Sequence, residues 1–139
     1  MTMGIFDIFG KKDAGSDITK GVPFLISTEL VPYRLYSRRN SSATLIVKVT
    51  NVTKDILLTS IVAELPNKLG FDEMAMARQR EVRIGEMQPN DQKEVKFNIY
   101  GNVGSEAGEY TARLTAIAHY RDYSHVLNAI KKQISISVV

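Results

Sequence analysis

From Phe24 onward apolar and polar positions alternate with a period of two, the spacing at which side chains of an extended strand face opposite sides. Ala43, Leu45, Val47 and Val49 form one apolar row against Thr44, Ile46, Lys48 and Thr50. Val95, Phe97 and Ile99 form a second, and Tyr110, Ala112, Leu114, Ala116 and Ala118 a third. Ile134, Ile136 and Val138 repeat the pattern at the end of the chain. One apolar and one polar row per strand predicts antiparallel sheet with a single solvated face. Segments 24–31 and 57–65 are apolar with poorer phase, and Val82 and Ile84 flank Arg83 as a further short strand.

Turn residues punctuate these runs at Asn40-Ser41-Ser42, Asn51 to Asp55, Gln88 to Asp91 and Gly101 to Gly108. Roughly seven or eight strands so separated, with no long helical pattern, predict an all-β, antiparallel β-sandwich. Pro32 suits an edge strand that crosses between the sheets. Asp72 to Arg80 is expected to hold a helical turn, with Met74 and Met76 as loose packing residues, and Arg121 to Lys132 reads as a long loop. The closing stretch Gln133 to Val139 has high β propensity and no charge after Lys132. Paired on one side only, by Glu109 to Tyr120, it predicts a homodimer through this edge or through the apolar segment Ile5–Phe9.

Composition narrows the function. At 139 residues the chain fits one domain. Hydrophobic residues at 44% and charged residues at 24% exclude wholesale disorder. Eighteen Lys+Arg against fifteen Asp+Glu leave only +3, so nucleic acid is not an expected partner. The absence of cysteine excludes disulfides, thiolate nucleophiles, zinc knuckles and iron–sulfur ligation. Residues 1–21 read as an N-terminal arm and linker, since Gly10 to Gly21 mixes three glycines with charges of both signs, and residues 22–139 read as the sandwich domain. Neither a secretory leader nor a run of ~20 apolar residues is present, so a cytoplasmic location is expected. Ile5, Phe6, Ile8 and Phe9 share one face of a single helical turn ahead of Lys11 and Lys12. They read as a segment packed on the domain or a partner, with a small membrane-surface anchor as the alternative.

Catalytic chemistry finds little footing. No G-x-S-x-G elbow accompanies either histidine. His119, Asp122 and His125 place two imidazoles near a carboxylate, a set that could ligate zinc. Their spacing of three suits a helix better than a strand end, and Arg121 sits inside the set. His119 therefore reads as a strand-face residue and His125 as a loop residue. Gly101 to Gly108 lacks the Lys-Ser/Thr of a phosphate loop. No catalytic residue, metal ligand or cofactor is assigned, and the chain is not read as an enzyme. What stands out is arginine beside tyrosine: Tyr33, Arg34, Tyr36, Arg38 and Arg39, then Arg113, Tyr120, Arg121 and Tyr123. Interfaces favour this composition, so these residues are expected to contact a protein partner where they do not simply form a solvated face.

Three stretches carry a family likeness. Ile84 to Ile99 (IGEMQPNDQKEVKFNI) leads from a short strand through a turn into a strand of alternating charged and apolar residues. Ala107-Gly108-Glu109-Tyr110 opens the penultimate strand with a glycine, a spacer and a tyrosine, and Leu45 to Val52 ends an early strand on Asn51. Together they resemble immunoglobulin-like domains of the CARDB and NEW3 kind over about residues 24–139. The resemblance implies a tyrosine corner at Tyr110 and a role as an adhesion, spacer or interaction module. It implies no catalytic residue.

Overall fold

The computed structural model describes residues 22–139, which form nine strands and no helix. In chain order they are β1 (Phe24–Val31), β2 (Arg34–Leu35), β3 (Ser41–Asn51), β4 (Leu57–Glu64), β5 (Leu69–Gly70), β6 (Gln79–Met87), β7 (Gln92–Gly101), β8 (Gly108–His119) and β9 (Val126–Val138). A five-stranded sheet in the order β2-β9-β8-β4-β6 faces a four-stranded sheet in the order β1-β3-β7-β5. Pairing is antiparallel except between β2 and β9. The two short strands β2 and β5 bring the number above the expected seven or eight.

The period-two rows explain the core. Leu45, Val47, Val49, Phe97 and Ile99 of one sheet meet Ile61, Leu114, Ala116 and Ile136 of the other, and all are buried. Each of the larger side chains contributes about 1.5–3 kcal/mol by leaving water. β1 is an edge of one sheet and β2 an edge of the other. The chain crosses between them at Pro32, through a cis Val31–Pro32 bond, as the sequence suggests. Tyr110 Oη donates to the Glu106 carbonyl at 2.6 Å, the corner implied by the resemblance.

Four expectations are corrected. Residues 72–80 hold no helical turn: Asp72 Oδ1 accepts from the N–H groups of Met76 (2.7 Å) and Ala77 (3.2 Å), closing a non-helical loop. Within it Met74 and Met76 are exposed, and Ala75 is buried instead. A Cβ on Gly70 would lie 2.4 Å from the Ala75 carbonyl carbon, so only glycine admits this approach. The strand around Arg83 spans Gln79–Met87. A bulge leaves Ile84 between the pairs Thr59↔Gly85 and Ser60↔Arg83 and breaks the phase, with Gly85 at φ 94°. The expected loop 121–132 ends at His125, because β9 starts at Val126. Finally, the last residues are covered on both sides. Ser137 and Val138 pair with Arg34 and Leu35, the Val139 N–H donates to the Leu35 carbonyl (2.9 Å), and the Ser37 N–H donates to the Val139 carbonyl (2.7 Å).

Candidate interaction surface

Three loops are tied together at one end of the sandwich. In the stretch between β1 and β3, buried Leu35 pins the backbone while Arg34 points outward. Ser41 Oγ accepts from the Tyr36 N–H at 3.1 Å. Arg38, at φ 57°, donates its N–H to the Ser105 carbonyl at 2.7 Å, and its guanidinium lies 3.9 Å from Glu106. Buried Ser105 donates its hydroxyl to the Lys68 carbonyl at 2.6 Å, and Asn102 Nδ2 donates to the Met74 carbonyl at 3.3 Å. The loops 32–40, 66–77 and 102–107 thus form one surface. Between them lies a cavity of about 260 Å³ lined by Asn40, Ser41, Ser42, Glu73, Tyr100 and Gly101.

On this end the aromatic and cationic groups stack. The Arg34 guanidinium sits 5.0 Å from the Tyr33 ring centre and 5.9 Å from that of Tyr36, and Arg39 lies 4.5 Å over Tyr36. Tyr33 is 71% exposed, and Val103, Met74 and Met76 project beside these loops at 71%, 69% and 68%. Of these arginines only Arg38 has a carboxylate partner among the described residues. Stacking holds the other two guanidiniums in place and leaves their N–H edges free for an acceptor.

The remaining surface residues lie elsewhere. Arg113, midway along β8, is 3.4 Å from Glu64 on the outer face. Tyr120, Arg121 and Tyr123 belong to the β8–β9 turn, at the far end of the twelve-residue β8, roughly 35 Å from the Tyr33 loop at strand rise. Here Arg83 covers the Tyr123 ring at 4.7 Å and Tyr120 packs on His125 at 4.9 Å. The arginine–tyrosine set is therefore divided between opposite ends. Ile5, Phe6, Ile8, Phe9, Lys11 and Lys12 lie outside the described residues.

Beneath Tyr123 lies a contact not anticipated from sequence. Ser60 Oγ and His119 Nε2 are 2.7 Å apart, and His119 Nδ1 is 3.2 Å from the His125 carbonyl. A carbonyl only accepts, so in the neutral ring Nδ1 carries the hydrogen and Nε2 accepts from the Ser60 hydroxyl. Ser60 is fully buried and His119 is 5% exposed, so the hydroxyl is sealed from solvent. No group of three His, Cys, Asp or Glu side chains converges among the described residues.

Asp122 organises the turn. The Ser124 hydroxyl, the His125 ring and the Ser124 N–H all donate to its carboxylate, and these bonds hold its pKa down to about 2. A depressed carboxylate stabilises the fold above its ordinary value of 3.8, and that contribution is lost as pH falls through about 2. In an NMR pH titration the 120–125 amides should hold their shifts below pH 3.8 and move with a midpoint near 2. A midpoint at the ordinary value would count against the network.

No protein-family profile matches the sequence, and no curated protein matches it. Solved structures do. A point mutant of Salmonella α2-macroglobulin superposes with a TM-score of 0.60 at 19% identity, over 84% of this chain and 7% of that one. The native Escherichia coli α2-macroglobulin fragment running from domain MG7 to the C-terminus gives 0.59 at 16%, over 86% and 17%. A FixG-related protein from Vibrio parahaemolyticus gives 0.52 at 12%, over 84% and 96%. The chain thus spans less than a fifth of either macroglobulin chain. At such identity the likeness carries architecture alone: this is an immunoglobulin-like β-sandwich of the kind found within bacterial α2-macroglobulins.

Proposed function

We propose that the chain is a non-enzymatic protein-interaction module whose partner docks on the loop end of the sandwich. The observation that carries this reading is the stacked set Tyr33, Arg34, Tyr36 and Arg39, held in place with two guanidiniums lacking a carboxylate. Prearranged side chains lose less entropy on contact, and tyrosine and arginine are the usual anchors of interfaces. Exposed Met74 and Met76 add adaptable apolar surface beside them. Glu106 lies beside Arg38 and Glu73 lines the adjoining cavity, which favours a protein over a polyphosphate. The sealed Ser60–His119 pair also supports a binding role, because its hydroxyl has no route to a substrate. A domain of the CARDB or NEW3 kind, working in the cytoplasm without a cofactor, is the finer form of this reading.

The test is comparative capture. A partner retained by the intact chain and identified by mass spectrometry should bind about thirtyfold more weakly to the double variant Tyr36→Ala, Arg39→Ala. Circular dichroism must show that the variant stays folded. Undiminished capture of the same partner by a folded variant would overturn the assignment.

A further inference from the structure

β9 is an edge over most of its thirteen residues. β8 pairs with it from Val126 to Val138, whereas β2 covers only Ser137 and Val138. The end of the chain shows which main-chain groups face the open side. Both the N–H and the C=O of Val139 bond to the β2 segment, so at a period of two those of Ser135, Gln133 and Lys131 point the same way. Ala129 agrees, since its N–H bonds to Asn128 Oδ1 at 2.8 Å. Among the described residues no strand meets Lys131, Gln133 and Ser135 on that side.

The side chains along this edge differ by face. Lys131, Gln133 and Ser135 are exposed on the outer face, in a row that continues to Ser137 and its neighbour Arg34. On the inner side Ile130 and Ile134 are half-buried, as are Ile26 and Leu30 on the edge strand β1 of the other sheet. Lys132 bridges the two edges, its Nζ donating to the Ile26 carbonyl at 3.1 Å. Of the other long edges, β6 (Arg80, Glu81, Arg83 and Glu86) and β7 (Lys93, Glu94 and Lys96) carry charges of both signs, and β1 carries only Glu29. β9 carries only Lys131 and Lys132.

We infer that the open edge of β9 accepts an extended segment of a partner protein as an added strand, one whose side chains alternate between acidic and apolar. Main-chain bonds to Lys131, Gln133 and Ser135 supply affinity, and alternation supplies specificity. An acidic side chain meets Lys131 on the outer face, four residues from Ser135, whose hydroxyl with that of Ser137 donates to the Glu109 carboxylate, while apolar ones cover Ile130, Ile134, Ile26 and Leu30. A second copy is the poorer occupant. Antiparallel pairing centred on Gln133 sets Lys131 opposite Ser135 and brings the lysines of both copies to one seam, with no carboxylate on β9 to offset them. The inference rests on the interaction-module reading and adds a second surface to it.

A blocked decapeptide of alternating valine and glutamate, titrated into the isotope-labelled full chain, tests it by NMR. The expected result is slowed hydrogen exchange at the Lys131, Gln133 and Ser135 amides. Lys131→Glu should weaken this peptide roughly fivefold and favour one of alternating valine and lysine. Gln133→Pro removes an outward N–H and should abolish the protection; if it fails to fold, Lys131→Glu decides alone. The inference is overturned if the acidic and basic peptides bind alike, or if protection falls on another edge. It is equally overturned if light scattering shows a dimer protecting these amides without peptide. Arg39→Ala alone, which leaves Arg34 stacked on Tyr33 and Tyr36, should leave the titration unchanged. Failure of the peptide with capture intact then removes only the edge, and loss of the capture effect removes only the loop end.

Discussion

Replacing Phe97 with alanine should lower folding stability by about 3–5 kcal/mol and loosen the loop end, although Phe97 touches no partner. Its side chain is 1% exposed and pairs across the sheet with Leu45. Its ring centre lies 5.8 Å from that of Phe71, tilted by 51°. Phe71 closes the Met74 loop by donating its N–H to the Ala77 carbonyl at 2.7 Å, beneath the Arg80 guanidinium at 5.7 Å. The alanine variant loses transfer energy and leaves a cavity that a two-sheet core refills poorly. For a domain stable by about 5–15 kcal/mol the loss is a large fraction. Urea unfolding should show a lower midpoint with an unchanged slope, and Phe97→Leu should lose less than half as much. A midpoint displaced by less than ~1 kcal/mol equivalent would mean that the site collapses easily.

Asn51→Ala should destabilise by about 3 kcal/mol, for a polar rather than an apolar reason. Asn51 is fully buried. Its Nδ2 donates to the carbonyls of Asp55 (2.8 Å) and Met87 (3.0 Å), and its Oδ1 accepts from the Thr53 N–H (2.9 Å) and hydroxyl (2.7 Å). One side chain thus joins the end of β3, the following turn and the end of β6. Truncation leaves the buried Met87 carbonyl without its partner, and a buried unmade bond costs more than a made one contributes. Asn51→Asp should be no milder at neutral pH, since it turns a carboxylate toward two carbonyls. Thermal melts of the two variants check both statements; a near-native Asn51→Asp would refute the account.

The rows of β3, β7 and β8 were legible because each strand has one core face and one solvated face. Other elements hid for local reasons. The bulge at Ile84 reverses the phase of β6, leaving only a short run that reads as strand. β9 begins on exposed Val126 and Leu127 and carries a register shift before Asn128, so its start offers no alternation. Asp72 accepts main-chain bonds from residues ahead of it, which in sequence looks like the start of a helix. Arginine beside tyrosine was readable from composition. That the two clusters sit at opposite ends depends on strand direction and length, which residue types alone do not encode. Ser60 carried no signal, since the His119 ring that meets it comes from a neighbouring strand and is backed by Tyr123.

The short parallel pairing of β2 with β9 has a kinetic side. Arg34 and Ser137 are about a hundred residues apart in sequence, so closing that loop is entropically late and comes after the hairpin of β8 and β9. Until it closes, the edge of β9 stays open through Val138, longer than in the finished fold. Crowding at that moment invites strand pairing between unfinished chains. Refolding yield should therefore fall as protein concentration rises, and strengthening the Leu35 contact should recover it.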